Sequence, residues 1–276
     1  MAPFLTQLSG LMDQGPAWMA LTGAGMSTAS GIPDYRDANG QWKRPQPIYF
    51  QPFMQQAQVR ARYWARSMVG WRFFHQVQPN AGHFAVAQLQ NQHLLDVVVT
   101  QNVDGLHEQA GSTAVVDLHG RLDQVRCMQC SWRLSRQDFQ GMLQGRNPGW
   151  LDAQAPMAPD GDADLEGVDF SQFQVPPCPQ CGGIVKPDVV FYGEHVPPER
   201  HQRATAAMHA AGGLLVLGTS LMVQSSYRYA VLAAKLGKPI AIINQGMTRA
   251  DALASYKLDA PIESALSALA ALAASH

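Results

Sequence analysis

The segment WMALTGAGMSTASGIPDYRD, which spans residues 18–37, decides the fold class. It begins with an apolar run typical of a buried β-strand and continues into a turn that contains Gly23 and Gly25. Glycines at these positions permit a tight turn and let the backbone approach a diphosphate at a helix N-terminus. Thr28 replaces the third glycine of the dehydrogenase pattern, and no acidic residue ends a second strand about twenty positions later. The segment therefore predicts a strand followed by a dinucleotide-binding loop of a different kind.

Four further short apolar runs alternate with longer stretches rich in helix formers. They cover residues 94–100, 114–118, 214–217 and 239–243. This alternation predicts an α/β fold with a parallel, Rossmann-like sheet and crossover helices. Each run ends in small or polar residues, and ligands of such sheets bind at the carboxyl ends of the strands, so we expect the five strand tips to meet at one crevice. These tips are residues 23–25, 101–104, 119–120, 218–220 and 244–246.

Two stretches interrupt the alternation. Residues 34–82 are aromatic and basic and are expected to be partly helical, whereas residues 121–187 contain all four cysteines and an acidic segment rich in proline and glycine. Long structureless loops are uncommon inside a compact domain, so the second stretch is interpreted as an insertion. We expect one domain over residues 1–276, with a helical lobe and cofactor loop at 34–82 and a small zinc-binding module at 121–187. The large lobe would comprise residues 1–33, 83–120 and 188–276.

The four cysteines form two C-x-x-C pairs, Cys127 with Cys130 and Cys178 with Cys181. Two such pairs make a closed tetrahedral zinc site with no position left for water, so we expect one structural zinc ion. A redox-active pair is the alternative, although one of the two pairs would then need no partner.

The composition is that of an ordinary globular protein and indicates no polyanionic partner. The 276 residues carry a net charge of -1, and the sequence pI is about 6.7. Residues 38–95 contain basic but no acidic side chains, residues 150–174 show the reverse, and both stretches are interpreted as solvated surface. No run reaches the roughly 18 apolar residues of a membrane-spanning helix, and the N-terminus lacks a basic presequence. We expect a soluble, cytoplasmic monomer that binds neither nucleic acid nor membrane.

Six longer motifs follow one another along the chain: GAGMSTASGIPDYR, TQNVDGLH, DLHG, KPDVVFYGE, GTSLMV and INQG. Together with the two cysteine pairs, their order resembles that of the sirtuin (Sir2) family over nearly the whole chain. The likeness is greatest to the class II, mitochondrial sirtuin-4-like group, in a bacterial member, and rests on RYWARSMVGW, NPGW, APDGD and FQVPPCPQCGG. Tyr35 stands where many sirtuins have phenylalanine, which keeps an aromatic contact to the ribose.

The resemblance implies an NAD-dependent protein lysine deacylase or deacetylase. In such an enzyme the acyl oxygen of the modified lysine attacks the ribose C1′ of NAD, nicotinamide leaves, and free lysine and O-acyl-ADP-ribose result. His119 would be the general base for the ribose hydroxyl, for which the ordinary histidine pKa of about 6.5 is suited. Asn102 and Asp104 would position the ribose and the departing nicotinamide. Without the resemblance, a structural histidine and two turn-forming residues would explain these positions.

The resemblance also implies residues that bind NAD and the acylated-lysine protein substrate. Expected NAD contacts are Gly23, Ala24, Gly25, Ser27, Thr28, Ile32, Pro33, Asp34, Tyr35, Arg36, Gln101, Asn102, Asp104, Gly218, Thr219, Ser220, Asn244, Gln245, Gly246 and Ile262. The KPDVVFYGE segment would bind the substrate peptide as an added strand. Its expected contacts are Val189, Val190, Phe191, Gly193 and Glu194.

Tyr63 and Arg66 bear on the choice of acyl group. They are three residues apart, on one face if this stretch is helical, and resemble the Tyr-x-x-Arg with which desuccinylating sirtuins hold an acidic acyl end. Arginine is suited to bidentate carboxylate binding. Our hypothesis is that carboxylated or bulky acyl groups are preferred to acetyl, and a surface arginine without this role is the alternative.

Three other functions compete with deacylation. A mono-ADP-ribosyltransferase or NAD hydrolase would use the same pocket, and an intact peptide-binding strand and His119 favour deacylation over it. A zinc-binding module without catalysis would not need His119 together with the QNVD motif, and no basic run surrounds the cysteines. A dehydrogenase is disfavoured because the acidic ribose contact is missing.

Overall fold

The computed structural model describes residues 1–34, 48–153, 162–163, 165 and 167–274. Tyr35 and Arg36, both predicted to contact NAD, lie outside the described residues. The strands, in chain order, are β1 (Trp18–Thr22), β2 (Leu95–Thr100), β3 (Val115–Asp117), β4 (Gly120–Cys127), β5 (Arg133–Ser135), β6 (Val185–Val189), β7 (Leu214–Leu217), β8 (Ile240–Ile243) and β9 (Tyr256–Leu258). The α-helices are α1 (Ala2–Met12), α2 (Phe50–Gln55), α3 (Ala57–Phe74), α4 (Ala81–Asn91), α5 (Leu106–Gln109), α6 (Arg136–Arg146), α7 (Pro198–Ala210), α8 (Gln224–Lys235) and α9 (Ile262–Ala273).

A six-stranded sheet of order β3-β2-β1-β7-β8-β9 forms the larger lobe, and every neighbouring pair is parallel. Strand β1 is buried along its whole length, as expected of a central strand covered on both faces. The predicted Rossmann-like α/β fold is confirmed. The sequence did not predict β9, because its half-exposed residues form no apolar run.

Helices cover both faces of this sheet. Ala20 and its neighbours on one face pack against α1, α4 and α9, whereas Leu21 on the other face packs against α7 and α8. The alternation of side chains along each strand separates these two cores. Strand order reverses between β1 and β7, and that reversal places a crevice at the carboxyl ends of the two strands.

The smaller lobe combines the two stretches that interrupt the alternation. Its sheet has the order β5-β4-β6, with antiparallel pairing, and α6 packs beside it. Trp64 of α3 is fully buried in the same core as Phe139 of α6, and its indole Nε1 donates to the Val185 carbonyl at 3.2 Å. The two stretches therefore share one hydrophobic core. The module's sheet also extends slightly beyond residues 121–187, from Gly120 to Val189.

The basic and acidic stretches contact each other through main-chain carbonyls. Arg66 Nε donates to Ala163 O at 2.9 Å, and Arg72 donates to the carbonyls of Leu151 and Ala153. Asp162 is buried, with 1% of its surface exposed. The prediction that these stretches are simply solvated surface is therefore wrong at these positions, because the arginines bind the acidic segment.

Among the residues that the structure describes, no helix combines the length and the apolar character that crossing a bilayer requires.

Candidate active site

A cavity of about 870 Å³ opens at the crevice where the strand order reverses. All five predicted strand tips contribute to its lining. The contributing residues are Ala24, Gly25, Gln101, Asn102, Val103, Asp104, His119, Gly218, Thr219, Ser220, Asn244 and Gln245. Its volume is within the range of about 300–1,000 Å³ that is usual for small-molecule sites.

Gly25 and Gly218 bring the loops after β1 and β7 into direct contact. The Gly25 amide donates to the Gly218 carbonyl at 2.9 Å, and a Cβ added to Gly25 would lie 2.9 Å from that same oxygen. Gly218 has a φ of +58°, which is in the left-handed region that favours glycine. These glycines are therefore needed for the two loops to meet. This role is separate from the predicted approach of the backbone to a diphosphate.

Asn102 and Asp104 are joined through Ser27. Asn102 Nδ2 donates to the Gly23 carbonyl and to Ser27 Oγ, both at 3.0 Å. Ser27 Oγ in turn donates to Asp104 Oδ2 at 2.7 Å, and the second carboxylate oxygen of Asp104 accepts from the Leu106 amide at 3.0 Å. This network fixes the amide and the carboxylate at the cavity wall.

His119 has a partner at each ring nitrogen. Nδ1 lies 3.2 Å from the Gln101 carbonyl oxygen, and Nε2 lies 2.8 Å from Ser225 Oγ. Since a carbonyl only accepts, Nδ1 carries the proton and the Nε2 lone pair accepts from the serine hydroxyl. Burial lowers the pKa of His119 to about 4, although the bond to Gln101 raises it, so the imidazole is neutral at pH 7. The expected pKa of about 6.5 is thus corrected by desolvation.

Some of the other predicted NAD contacts line the cavity, and others hold the loops that form its wall. Gln101 Nε2 donates to Thr219 Oγ1 at 2.9 Å and so links the tips of β2 and β7. Gly246 donates its amide to Asp259 Oδ2 at 3.1 Å. The remaining predicted residues that line the cavity are Ser27, Thr28, Ile32, Pro33, Asp34 and Ile262. Gly23 and Gly246 do not appear among the described lining residues, so both would act through the loop backbone.

The predicted peptide-binding segment also lines the cavity. Val190 donates its amide to the His119 carbonyl at 2.8 Å, so this segment runs beside the histidine. Glu194 accepts from the Phe191 amide at 2.9 Å and lies 3.1 Å from the ammonium of Lys186. The Glu194 carboxylate therefore stabilises the loop that carries the predicted peptide contacts.

Tyr63 and Arg66 do not occupy equivalent positions. Tyr63 lines the cavity and packs edge-on against Phe53 and Phe191, with ring centroids 5.5 and 5.2 Å away. Arg66 bonds to the Ala163 carbonyl and is not among the cavity-lining residues that the structure describes. The helix thus presents the tyrosine to the cavity and the arginine to the neighbouring segment.

The four cysteines form a compact cluster in the smaller lobe. Their sulfur atoms all lie within 4.8 Å of one another, with 3.5 Å between Cys127 and Cys181 and 3.7 Å between Cys130 and Cys178. Tetrahedral coordination with Zn–S bonds of about 2.3 Å requires sulfurs about 3.8 Å apart, so this cluster fits one zinc ion. It lies outside the cavity lining, which is consistent with a structural role.

Residues 23–225 match the family model described as the Sir2 family. This chain belongs to the Sir2 family. The family model covers most of the cavity-lining segments and the cysteine cluster, and it ends in the first turn of α8, before the tip of β8. Sir2 membership therefore agrees with the resemblance that the motifs indicated.

Two bacterial Sir2 relatives match nearly the full chain. An NAD-dependent protein deacetylase of Bordetella bronchiseptica is 58% identical over 262 residues, which cover 95% of this chain and 96% of the relative. An NAD-dependent protein deacetylase of Xanthomonas campestris pv. campestris is 57% identical over 249 residues, which cover 90% of this chain and 85% of the relative.

Solved Sir2 structures share the fold. A Sir2 structure with a p53 peptide and NAD superposes with a TM-score of 0.73 at 26% identity and covers 94% of both chains. A Sir2 homologue in complex with NAD superposes with a TM-score of 0.75 at 30% identity, covering 98% of this chain and 93% of the other.

Sequence reasoning missed several polar residues at this Sir2 site, and two of them have close polar contacts there. Ser225, in the first turn of α8, contacts His119, and Lys186 of β6 is buried against Glu194. Burial lowers the pKa of Lys186 to about 8. Ser225 carries no local signal, because its partner His119 is 106 positions away in the sequence. Only the KPDVVFYGE motif, which contains Lys186, marked that region as functional.

Proposed function

We propose that this Sir2-family chain is an NAD-dependent protein lysine deacetylase, with deacylation as the general reaction. The observation that carries the proposal is the position of His119 in the cavity. Its neutral imidazole directs a basic Nε2 into the same space that Asn102 and Asp104 line. The two bacterial relatives described above are named as deacetylases of this kind, and they match the chain almost end to end.

The residues of the cavity would have distinct roles in the reaction. NAD, when bound, would supply the ribosyl carbon that receives the acyl oxygen as nicotinamide departs. His119 would accept the proton of the ribose hydroxyl at Nε2, and its neutral state at pH 7 keeps it available for that step. Asn102 and Asp104, held by Ser27, would orient the ribose and nicotinamide end.

The cavity suits NAD through its glycine contacts and its polar tips. The Gly25–Gly218 contact leaves the loop backbone without side chains where a diphosphate would lie. Thr219 and Ser220 would add hydroxyl groups for the phosphates, and Asn244 with Gln245 would hold the adenine ribose. Ile262, at the start of α9, would lie against the adenine.

The substrate protein would bind along the segment from Val189 to Glu194. The amides of Val190 and Phe191 already have partners, as do the carbonyls of Val189, Phe191 and Tyr192, so an added peptide strand would share or replace some of these bonds. Main-chain pairing reads little side-chain sequence, which suits an enzyme that acts on several proteins. Lys186 and Glu194 would keep the segment in place.

Finer assignments are also part of this proposal. The sirtuin-4-like subtype is supported by the motifs RYWARSMVGW, NPGW and FQVPPCPQCGG. The division into a large lobe, a helical insertion at 34–82 and a zinc module at 121–187 is supported by the separate six-stranded and three-stranded sheets. A cytoplasmic location and a monomeric state stay predictions from sequence.

The decisive experiment measures removal of acyl groups from lysine peptides. The purified protein is incubated with NAD and peptides that carry acetyl, succinyl, methylglutaryl, lipoyl or long-chain acyl groups, and free peptide is followed by mass. We expect NAD-dependent deacylation that is lost in His119→Tyr. Nicotinamide release without any deacylated peptide would contradict the proposal and indicate ADP-ribosyl transfer or NAD hydrolysis.

A further inference from the structure

Ser225 lies beside Nε2 of His119, the nitrogen that would act as the base. Its hydroxyl oxygen lies 2.8 Å from Nε2, the nitrogen that carries the free lone pair. Both residues line the cavity, so this bond is made in the space where the substrate would bind. The two residues are 106 positions apart and come together only in the folded chain.

The serine bond holds the imidazole more firmly than the bond at the other nitrogen. The Nδ1 contact to Gln101 measures 3.2 Å, at the long end of the usual range for N–H···O bonds, whereas the Nε2 contact is 2.8 Å. With only the longer bond, the plane of the ring would be less firmly fixed, because the terminal torsion of histidine has broad preferences. The serine bond therefore helps to fix the plane of the ring, whereas the Gln101 carbonyl fixes its tautomer.

A rigid element carries the serine. Ser225 lies in the first turn of α8, and the adjacent Ser226 is buried and donates to the Val223 carbonyl at 2.9 Å. Tyr229 and Ala230 of the same helix are fully buried in the core beneath the six-stranded sheet. A donor on such a helix is placed more accurately than one on a free loop.

We propose that Ser225 is a positioning residue for the deacylation step, which holds His119 with Nε2 directed into the cavity until a substrate hydroxyl replaces the serine. This inference rests on the proposed function. In the step itself, the substrate O–H bond breaks and an N–H bond forms at Nε2. Ser225 keeps its own proton and turns to another staggered rotamer.

Several charged groups surround this pair and influence the base. Arg200 lowers the pKa of His119, and Arg200 itself is bound to Asp188 at 3.0 Å. The other titratable groups in the cavity lining are Asp34, Tyr63, Asp104, Tyr192, Glu194, His195, His201, Arg228 and Glu263. None of these is altered by a substitution at Ser225, so a change in His119 in that variant reports on the serine.

Kinetic comparison of Ser225→Ala with the unaltered enzyme tests the proposal. We expect kcat for deacylation to fall about fivefold to tenfold, which is the factor that one ordinary hydrogen bond contributes. Nicotinamide exchange, which precedes the use of the base, and the KM for NAD should stay within about twofold of the unaltered values, because the serine does not act in that step.

Ser225→Thr keeps the hydroxyl and should restore kcat, and Ser226→Ala serves as the matched control on the same helix. An unchanged kcat in Ser225→Ala, or an equal loss in exchange and deacylation, would overturn the proposal.

A second measurement does not depend on catalysis. The histidine ring nitrogens are followed by NMR across pH in unliganded protein. A hydrogen bond donated to Nε2 stabilises the neutral ring, so Ser225→Ala should raise the pKa of His119, and Ser225→Thr should not. Identical titrations in all three proteins would overturn the proposal even if deacylation is confirmed. If the unaltered enzyme fails to deacylate any peptide, the proposed function falls, while the titration still decides whether Ser225 holds the imidazole.

Discussion

Gly25 lies where the loops after β1 and β7 touch, and no larger residue fits there without moving one loop. Its amide and Cα face the backbone of Gly218, so the approach of the two loops depends on the absence of a side chain. The same loops supply the predicted phosphate contacts, and a shift in one of them therefore changes the binding site as well as the packing.

Gly25→Ala should weaken both folding and NAD binding. The added Cβ would meet backbone atoms of Gly218 at 2.9 Å, and backbone cannot move aside as a flexible side chain can. Overpacking of this kind costs about 1–3 kcal/mol, which urea unfolding would measure, and calorimetry should show weaker NAD binding. Gly141→Ala is the matched control, because it lies on the exposed side of α6 with open space around it. That control should be neutral or more stable by about 0.5–1 kcal/mol, and equal stability of the two variants would contradict the explanation.

Arg66→Met separates two roles for this arginine. Because its Nε bonds to the Ala163 carbonyl, we expect the substitution to lower the free energy of unfolding by about 1 kcal/mol and to leave the order of acyl preference unchanged. The peptide panel and urea unfolding measure the two effects, with Arg62→Met as the control on the exposed side of the same helix. A selective loss of activity on acidic acyl groups would instead show that the guanidinium reaches the acyl group, as the sequence motif predicted.

At the scale of elements, α4 and α5 meet through a buried pair of neutral histidines. His83 Nδ1 accepts from the Asn80 amide at 3.2 Å, so its proton is on Nε2. Thr22 Oγ1 donates to Thr100 Oγ1, so the 3.0 Å contact at His107 Nε2 is donated by the ring and Nδ1 is a bare acceptor. His83 Nε2 and His107 Nδ1 are buried without a hydrogen-bond partner among the described residues, and the rings are 5.0 Å apart. One site is a donor and the other an acceptor, which suits a bridging water.

This pair should make the protein sensitive to acid. Burial lowers the pKa of His83 to about 4 and that of His107 to about 3, both below the ordinary value. As the pH falls, these two histidines therefore bind protons in the unfolded chain before they do so in the folded chain. The contribution of the histidines to stability is complete above about pH 6.5 and is lost as the pH falls toward 4. Each histidine adds at most about 1.4 kcal/mol per pH unit to that slope.

Urea unfolding between pH 7.5 and 4.5 measures the slope. His107→Gln should reduce the slope by close to the value for one proton, whatever its effect on the free energy of unfolding at pH 7.5. His93→Gln, which replaces an exposed histidine, should leave the slope unchanged. Equal slopes in the two variants would show that the acid sensitivity arises elsewhere.

At the scale of the whole molecule, the cysteine cluster connects the two stretches of the smaller lobe. Cys127 and Cys178 belong to the same hydrophobic core as Phe53 and Trp64, which come from the helical stretch. Binding of a metal to the cysteines therefore stabilises helices that carry Tyr63 as well as the module itself.

Removal of the metal should loosen this lobe and leave the six-stranded sheet folded. We expect metal analysis to find one zinc ion per chain, and a strong chelator to change the fluorescence of Trp64 while far-ultraviolet circular dichroism retains most of its signal. Trp64→Phe should reduce the fluorescence change, and the part that remains would come from Trp132 and Trp150, which pack against the same core. Cys181→Ser, at the most exposed of the four ligands, should reproduce the effect of the chelator. A zinc-free chain with the same Trp64 fluorescence would contradict a structural role for the metal.

The sequence alone predicted five of the six strands of the parallel sheet, the crevice at their tips and the four clustered cysteines. Strands β1 and β7 match the predicted apolar runs, and the cysteine spacing indicated the four sulfurs that the fold brings within 4.8 Å. These features depend on local periodicity and short spacings, which a chain shows before it folds. The meeting of the strand tips followed from the parallel sheet that the alternation predicted, because parallel strands end at one edge.

Only the tertiary structure decided which partner each polar group meets. The tautomer of His119 depends on Gln101 and its orientation on Ser225, the direction of Arg66 depends on Ala163, and the need for Gly25 depends on Gly218. In each case the partner comes from a segment that is distant in the chain. Burial then moved the pKa of His119 well below its ordinary value, and desolvation is a property of the folded environment that no local pattern encodes.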